Sequence, residues 1–397
     1  MSKEEIKESY LRVAPALLFL LFALTTPLTS DNGGFGFDGT FYASMVDRLP
    51  ENAKYFSHPP YCWRVLTPFL ASLLPLPPLA ALGIVNMLFT LGMLYLFFFV
   101  LRELKFPPLV QLTTLALYGS LFFAVQAAFY TPAMIDPLSH LFMWLVILLS
   151  LQKRYTLTLL VVSIAAFQKE SILFVTPIAY LIRAKQDGEY QRNLLYFALL
   201  IVCALIPVGI LRVLIEPSVQ YHPEAVLRLT FIKQFGSLDF YPRFLVGIFA
   251  GLGVIPLLLL SLRQGIVTTL KEHPYLAAFL LVGAVQLLGG TCKARLFMGM
   301  VPGLVLLLGF LITEQFSRLE GDARALFSKI LLFAVSLHFF LNLSGVSFMS
   351  EVQLRNWVLP TYSPYPLTES FYRIILLVAA WFPLHFLLTR STEKSGE

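Results

Sequence analysis

Residues 78–101 read PLAALGIVNMLFTLGMLYLFFFVL, without one charged side chain. About 20 apolar residues suffice to carry a helix across the hydrocarbon core of a bilayer. No water is present there to satisfy peptide groups, so such a run bonds its own backbone and becomes a helix. The pattern recurs along all 397 residues: 57% of the chain is hydrophobic, 13% is charged and the mean hydropathy is +0.76. Soluble domains hold roughly 45–50% apolar and about 25% charged residues. The composition therefore predicts an all-α, polytopic membrane helix bundle, with the whole chain as a single membrane domain.

The apolar runs predict about 12 membrane helices, at 11–29, 78–101, 107–127, 132–151, 155–167, 171–184, 193–214, 243–262, 273–290, 297–314, 326–346 and 371–389. No small-residue cleavage site follows Leu11 to Thr29, so this run reads as an uncleaved first span rather than a signal peptide. Lysine and arginine gather in short loops, such as Lys153 with Arg154 and Arg183 with Lys185. That positive-inside pattern puts both termini in the cytoplasm. The net charge is +6, but no soluble basic module is present to hold nucleic acid. Cys62, Cys203 and Cys292 lack metal-ligand spacing. The topology puts Cys62 and Cys292 on the outer side, where a disulfide and two unpaired thiols both fit.

Gln168-Lys169-Glu170-Ser171 interrupts the run from Tyr155 to Arg183. One continuous helix would carry two charges near the bilayer centre, at a cost of roughly 2.5–3.5 kcal/mol each on insertion scales. Two short helices meeting at the outer side avoid that cost. Three outer segments are long, 30–77, 215–242 and 347–370, and function is expected there. The first holds two amphipathic stretches. Phe41, Met45 and Leu49 share one helical face, as do Leu66, Leu70 and Leu73 or Leu74. Such helices are expected to lie flat in the membrane interface.

Asp38, in the loop from Ser30 to Ala43, is a candidate general base or cation holder; the plainer alternative is a helix cap. Asp31 reads as part of a turn. Asp136 opens the fourth span beside Pro137, either as a second functional carboxylate or simply as a good helix start. Lys169 suits a phosphate contact, an ion pair with Glu170, or snorkelling to the surface. Arg64, Lys293 and Arg295, with His58 and His222, fall on the same outer face and could form an electropositive pocket for a phosphate. Nonspecific lipid-headgroup binding is their bland alternative. His140, Arg212, His338, Asn342 and His385 read as packing or rim residues. No P-loop, Gly-x-Ser-x-Gly elbow or His-Glu-x-x-His motif occurs.

Five short segments occur in a telling order: Phe37-Asp38-Gly39-Thr40-Phe41-Tyr42, His58-Pro59-Pro60-Tyr61, Pro132 to Pro137, Ala166-Phe167-Gln168-Lys169-Glu170, and Arg295-Leu296 followed by Pro302. Together they resemble the polytopic glycosyltransferases of the GT-C fold, which include protein O-mannosyltransferases, lipid A aminoarabinose transferases and many bacterial membrane glycosyltransferases. The resemblance covers roughly residues 11–310, and the chain looks like a small form without a soluble C-terminal domain. Gly39 stands where that family commonly carries Glu.

The resemblance implies inverting transfer of a sugar from a polyprenyl-phosphate donor to a lipid, glycan or protein acceptor. The reaction would occur on the outer face of a bacterial inner membrane. It implies catalytic roles for Asp38 and Asp136, and substrate binding by Lys169, Arg295, His58, Arg64, Tyr42 and Glu170. It specifies no certain cofactor and leaves room for a divalent metal. A secondary transporter or flippase of a lipid-linked sugar is the rival expectation.

Overall fold

In the computed structural model the described residues are 3–36, 38–49, 59–217, 224, 228, 236, 238–286, 293–347 and 367–393. Every regular element among them is helical. Three helices are long and apolar enough to cross a membrane: Pro78–Glu103, Leu194–Leu214 and Val301–Arg318. The number rises to five if two bent pairs each count as one span: Pro108–Gly119 with Phe122–Tyr130, and Phe240–Leu252 with Ile255–Ser261. Shorter apolar helices include Asp136–Leu151, Tyr155–Ala166 and Pro274–Gln286. Several of the predicted runs are thus helical but fall short of the roughly 20 residues a crossing needs.

The chain divides into two compact units: Met1–Ala14 with Lys105–Phe123 and Pro223–Glu397, and Pro15–Leu104 with Ala124–His222. In the first, Val301–Arg318 packs on Pro274–Gln286 and Pro108–Gly119. Gly303 lies against the Phe279 side chain, leaving no space for a Cβ. Such close approach is how helices associate where no hydrophobic force separates protein from lipid. The predicted span 243–262 is broken at Gly253, where the two helical parts bend by 84°. His338, fully buried, holds the break: the Val254 N–H donates to Nδ1 (3.2 Å) and Nε2 bonds the Leu117 carbonyl (3.0 Å). These partners place the proton on Nε2.

The second unit carries most of the candidate residues. Its helices are α1 (Lys3–Thr25, from Pro15 onward), α2 (Gly39–Arg48), α3 (Leu66–Ser72), α4 (Pro78–Glu103), α6 (Ala127–Tyr130), α7 (Asp136–Leu151), α8 (Tyr155–Ala166), α9 (Thr176–Asp187) and α10 (Leu194–Leu214); α5 (Pro108–Gly119) belongs to the other unit. α4 packs along α7, with Phe97 and Trp144 ring centroids 4.4 Å apart.

Hydrogen bonds fix the direction of the short helices. The Tyr155 hydroxyl, at the start of α8, donates to Gln186 Oε1 near the end of α9 (3.0 Å). Gln186 Nε2 donates to the Leu151 carbonyl at the end of α7 (2.8 Å). Arg183 lies over the Tyr155 and Tyr196 rings at 4.1 and 4.5 Å. The chain therefore leaves this level in α8 and comes back to it in α9. Residues 155–187 form a hairpin that reverses through 167–175, as the cost of burying Lys169 and Glu170 predicts.

α3 is buried on one side only. Its buried residues are Thr67, Pro68 and Ala71, while Phe69 and Leu73 are exposed. Small side chains let this helix sit close to α4, while Leu70 and Leu74 pack against the same core and Leu73 faces outward.

Asn86 is the most polar residue of the 78–101 run, and it is fully buried. Its Nδ2 donates to the carbonyls of Pro132 (2.7 Å) and Met134 (2.5 Å). Pro132 to Ile135 is a buried stretch of irregular backbone, and unpaired buried carbonyls are costly. Asn86→Leu should destabilise the protein by about 1–3 kcal/mol for each orphaned carbonyl, read as a lower unfolding midpoint in detergent. Thr90→Val, which loses only an intrahelical bond to the Asn86 carbonyl, should shift the midpoint far less. Equal midpoints would show that the loop is anchored elsewhere.

Candidate functional site

The end of the second unit opposite Tyr155 and Gln186 gathers the polar residues. It is built on the junction between α8 and α9. The α8 helix stops at Ala166, and Lys169 is extended (φ −165°, ψ 132°) before a short 3-10 turn over Glu170–Val175. Successive side chains of extended backbone point opposite ways. Lys169 and Glu170 are therefore directed to different partners, and the expected pair between them does not form.

Lys169 Nζ meets Asp136 Oδ1 at 2.9 Å, with side-chain exposures of 22% and 13%. Glu170 instead receives the Arg64 guanidinium in a fork, Nη2 to Oε1 at 2.6 Å and Nε to Oε2 at 3.3 Å. Arg64 Nη1 also donates to the Tyr42 hydroxyl (3.4 Å). Between the two ion pairs sits Gln168, fully buried. Its Oε1 accepts from the Thr67 backbone N–H (3.0 Å) and hydroxyl (2.9 Å), and its Nε2 donates to the Ile135 carbonyl (2.7 Å). One amide thus ties α3, the 131–135 loop and the α8–α9 junction together.

Burial alone would raise the Glu170 pKa, but the Arg64 charge and hydrogen bonds outweigh it and hold the carboxyl at about 2, against an ordinary 4.5. The Arg64 guanidinium, for its part, would lose affinity for its proton on burial; Glu170 and Tyr42 push its pKa well upward. Burial pushes the Cys62 thiol up to about 11, and this cysteine is free. Cys292 lies outside the described residues, and so does the suggested pairing.

Asp38 stands immediately before α2 and is half-buried. Its side chain makes no capping hydrogen bond, so the cap alternative lacks its defining contact. The loop around it is seated on the segment leading to Asp136. A Cβ on Gly36 (φ +69°) would come 2.7 Å from Thr131 Cγ2, and one on Gly39 would come 2.6 Å from Ala133 Cβ. A side chain at position 39 would therefore have to displace Ala133 or its own backbone. Thr29 N–H adds a bond to the Tyr130 carbonyl (2.9 Å).

Tyr42 is fully buried and stacks edge-on to Tyr61, with centroids 5.9 Å apart. It positions Arg64 instead of lining an opening. Arg295 lies in the other unit, within the short helix Lys293–Leu296. His58 and His222 fall outside the described residues. Among the described residues no three His, Cys, Asp or Glu side chains converge as a metal site, so a metal held by protein ligands alone does not fit them.

Sequence reasoning missed Asn86 and Gln168. Both carried a signal, an amide inside or beside an apolar run, but not the identity of the carbonyls they satisfy. No protein-family model matches the chain, and no curated protein matches it.

Two outcomes check this geometry. Gly39→Ala should cost about 1–3 kcal/mol through overpacking, and Ala133→Gly in the same chain should recover most of that loss; a purely additive double variant contradicts the contact. Glu170 has a lowered folded-state pKa, so its pair with Arg64 stabilises fully above the unfolded-state value. That contribution is lost as pH falls through the folded-state value. The unfolding-midpoint gap between the wild type and Glu170→Gln should hold steady above about pH 5 and close by about pH 2.

Proposed function

We propose that this chain is a membrane glycosyltransferase of the GT-C kind, drawing a sugar from a polyprenyl-phosphate donor on the outer side of a bacterial inner membrane. One observation carries the reading. The loop of Asp38 is seated on the segment that ends in Asp136, and the Asp136–Lys169 and Arg64–Glu170 pairs share that end of the unit. These are residues from four of the five ordered segments or their immediate surroundings. The positive-inside pattern assigns this end to the outer face, and the apolar helices suit a membrane enzyme.

In this reading the acceptor hydroxyl attacks the anomeric carbon from the side opposite the phosphate. Asp38 takes the hydroxyl proton as the new C–O bond forms. The bond from the anomeric carbon to the phosphate oxygen breaks, and its electron pair leaves with the lipid phosphate. Inversion follows from the opposite-side attack. Lys169 stabilises the departing phosphate, an electrostatic task for a preplaced cation. To do so it exchanges its contact with Asp136 for one with the donor, which leaves Asp136 to position donor or acceptor. Arg64, held by Glu170 and Tyr42, orders the floor of the site. The resemblance also assigns phosphate contacts to Arg295 and His58. A divalent metal is not required by any of these steps.

The rival reading, a transporter or flippase of a lipid-linked sugar, gains from the 84° break at Gly253, since transporters build their sites on broken helices. The two separate in membranes holding the full chain. A labelled polyprenyl-phosphate sugar is supplied, and both transfer and movement across the bilayer are read. Asp38→Asn should cut transfer by roughly a hundredfold or more while expression and unfolding midpoint stay unchanged. Movement without transfer, equal in wild type and Asp38→Asn, would establish the transporter.

A further inference from the structure

We propose that Trp63 and Arg212 form a recognition site for a lipid-borne phosphate on the lipid-facing side of the second unit. Of the three membrane-length helices, α10 is the least enclosed by protein, with 28% of its apolar window buried. Leu205, Ile206, Ile210, Val213 and Leu214 are exposed along it. Into this apolar surface the last turn sets one cation, Arg212, which is itself exposed.

A solitary arginine near a span end usually snorkels, stretching its head to water. Arg212 does not. Its guanidinium lies over the Trp63 ring, 4.9 Å from the centroid. Trp63 is in turn held by its Nε1–H, which donates to the Ile215 carbonyl (3.4 Å). The contact with the ring holds the guanidinium in place, and an arginine engaged this way keeps N–H groups able to donate. Among the described residues no carboxylate or carbonyl takes up those donors. A planar fork of fixed orientation is the geometry that matches a phosphate.

Beside the pair lies a small cleft lined by Trp63, Ala166, Glu170, Val208, Leu211 and Arg212. Its volume, about 10 Å³, admits one atom the size of a water or a phosphate oxygen. The carboxylate in its wall is already neutralised by the Arg64 fork, so an anion there meets a net positive wall. Gly209, three residues before Arg212 and on the same face of α10, has open space where a Cβ would be. That notch leaves a path for a hydrocarbon chain directly below the guanidinium. A ligand with a phosphate head and an apolar tail satisfies both halves of the surface, and a soluble phosphate satisfies one.

The cleft shares Glu170 with the candidate site, but its test reads binding alone and does not depend on sugar transfer. Purified full-length chain in detergent is titrated with a polyprenyl monophosphate, with phosphatidylglycerol and with inorganic phosphate, by native mass spectrometry. At least one lipid should bind, with Arg212→Gln weakening it roughly ten- to hundredfold and Arg212→Lys weakening it less. The tighter lipid identifies the source of the phosphate. Arg48→Gln, at the end of α2, should leave binding unchanged, and all variants should keep the wild-type unfolding midpoint. Equal lipid binding by wild type, Arg212→Gln and Arg212→Lys overturns the proposal, as does inorganic phosphate binding as tightly as either lipid.

Discussion

Irregular backbone inside a membrane protein survives only where protein groups replace water as hydrogen-bond partners. The 131–135 segment meets that condition through two amides, Asn86 from α4 and Gln168 from the α8–α9 junction. Everything at the candidate site is referenced to this segment. Asp136 follows it directly, the Asp38 loop rests on it through Gly36 and Gly39, and Gln168 links it to Thr67 of α3. The positions of Asp38, Asp136 and Gln168 therefore depend on a stretch with no regular structure of its own.

The site is also electrically closed. Lys169 and Asp136 cancel, as do Arg64 and Glu170. Breaking a part-buried pair by removing one partner is costly, because the survivor is left uncompensated. The two pairs nevertheless differ. The Arg64 fork is two-pronged and further held by Tyr42, which suits scaffolding. The Lys169 contact runs through one oxygen of Asp136, and a flexible ammonium can exchange partners. The division between a fixed pair and an exchangeable pair follows from the chemistry of arginine and lysine.

The hairpin at 155–187 was legible in the sequence because charge in a bilayer is expensive, and Lys169 and Glu170 set that cost locally. The existence of helices at the apolar runs was legible for the same reason. The partner of Lys169 was not, since it depends on one extended residue that no pattern marks. For α3, helical periodicity locates an apolar face without saying whether lipid or protein covers it: Leu70 and Leu74 pack on the core while Leu73 is exposed. Small residues, Thr67 and Ala71, turned out to mark the protein side. Asp38 kept its place in the candidate site, while its neighbour Gly39 acquired a steric explanation that composition could not supply.

That steric explanation bears on how such a site can change over generations. An acid at position 39 would press on Ala133, so its arrival by one substitution forces a neighbour to shift and costs stability. A glycine at position 133 would relieve that contact, but it would itself loosen a segment of irregular backbone. The two positions are thus epistatic, and the route to a paired carboxylate runs through a less stable intermediate. A lineage with this contact meets a volume limit at position 39, whatever the chemistry there would favour.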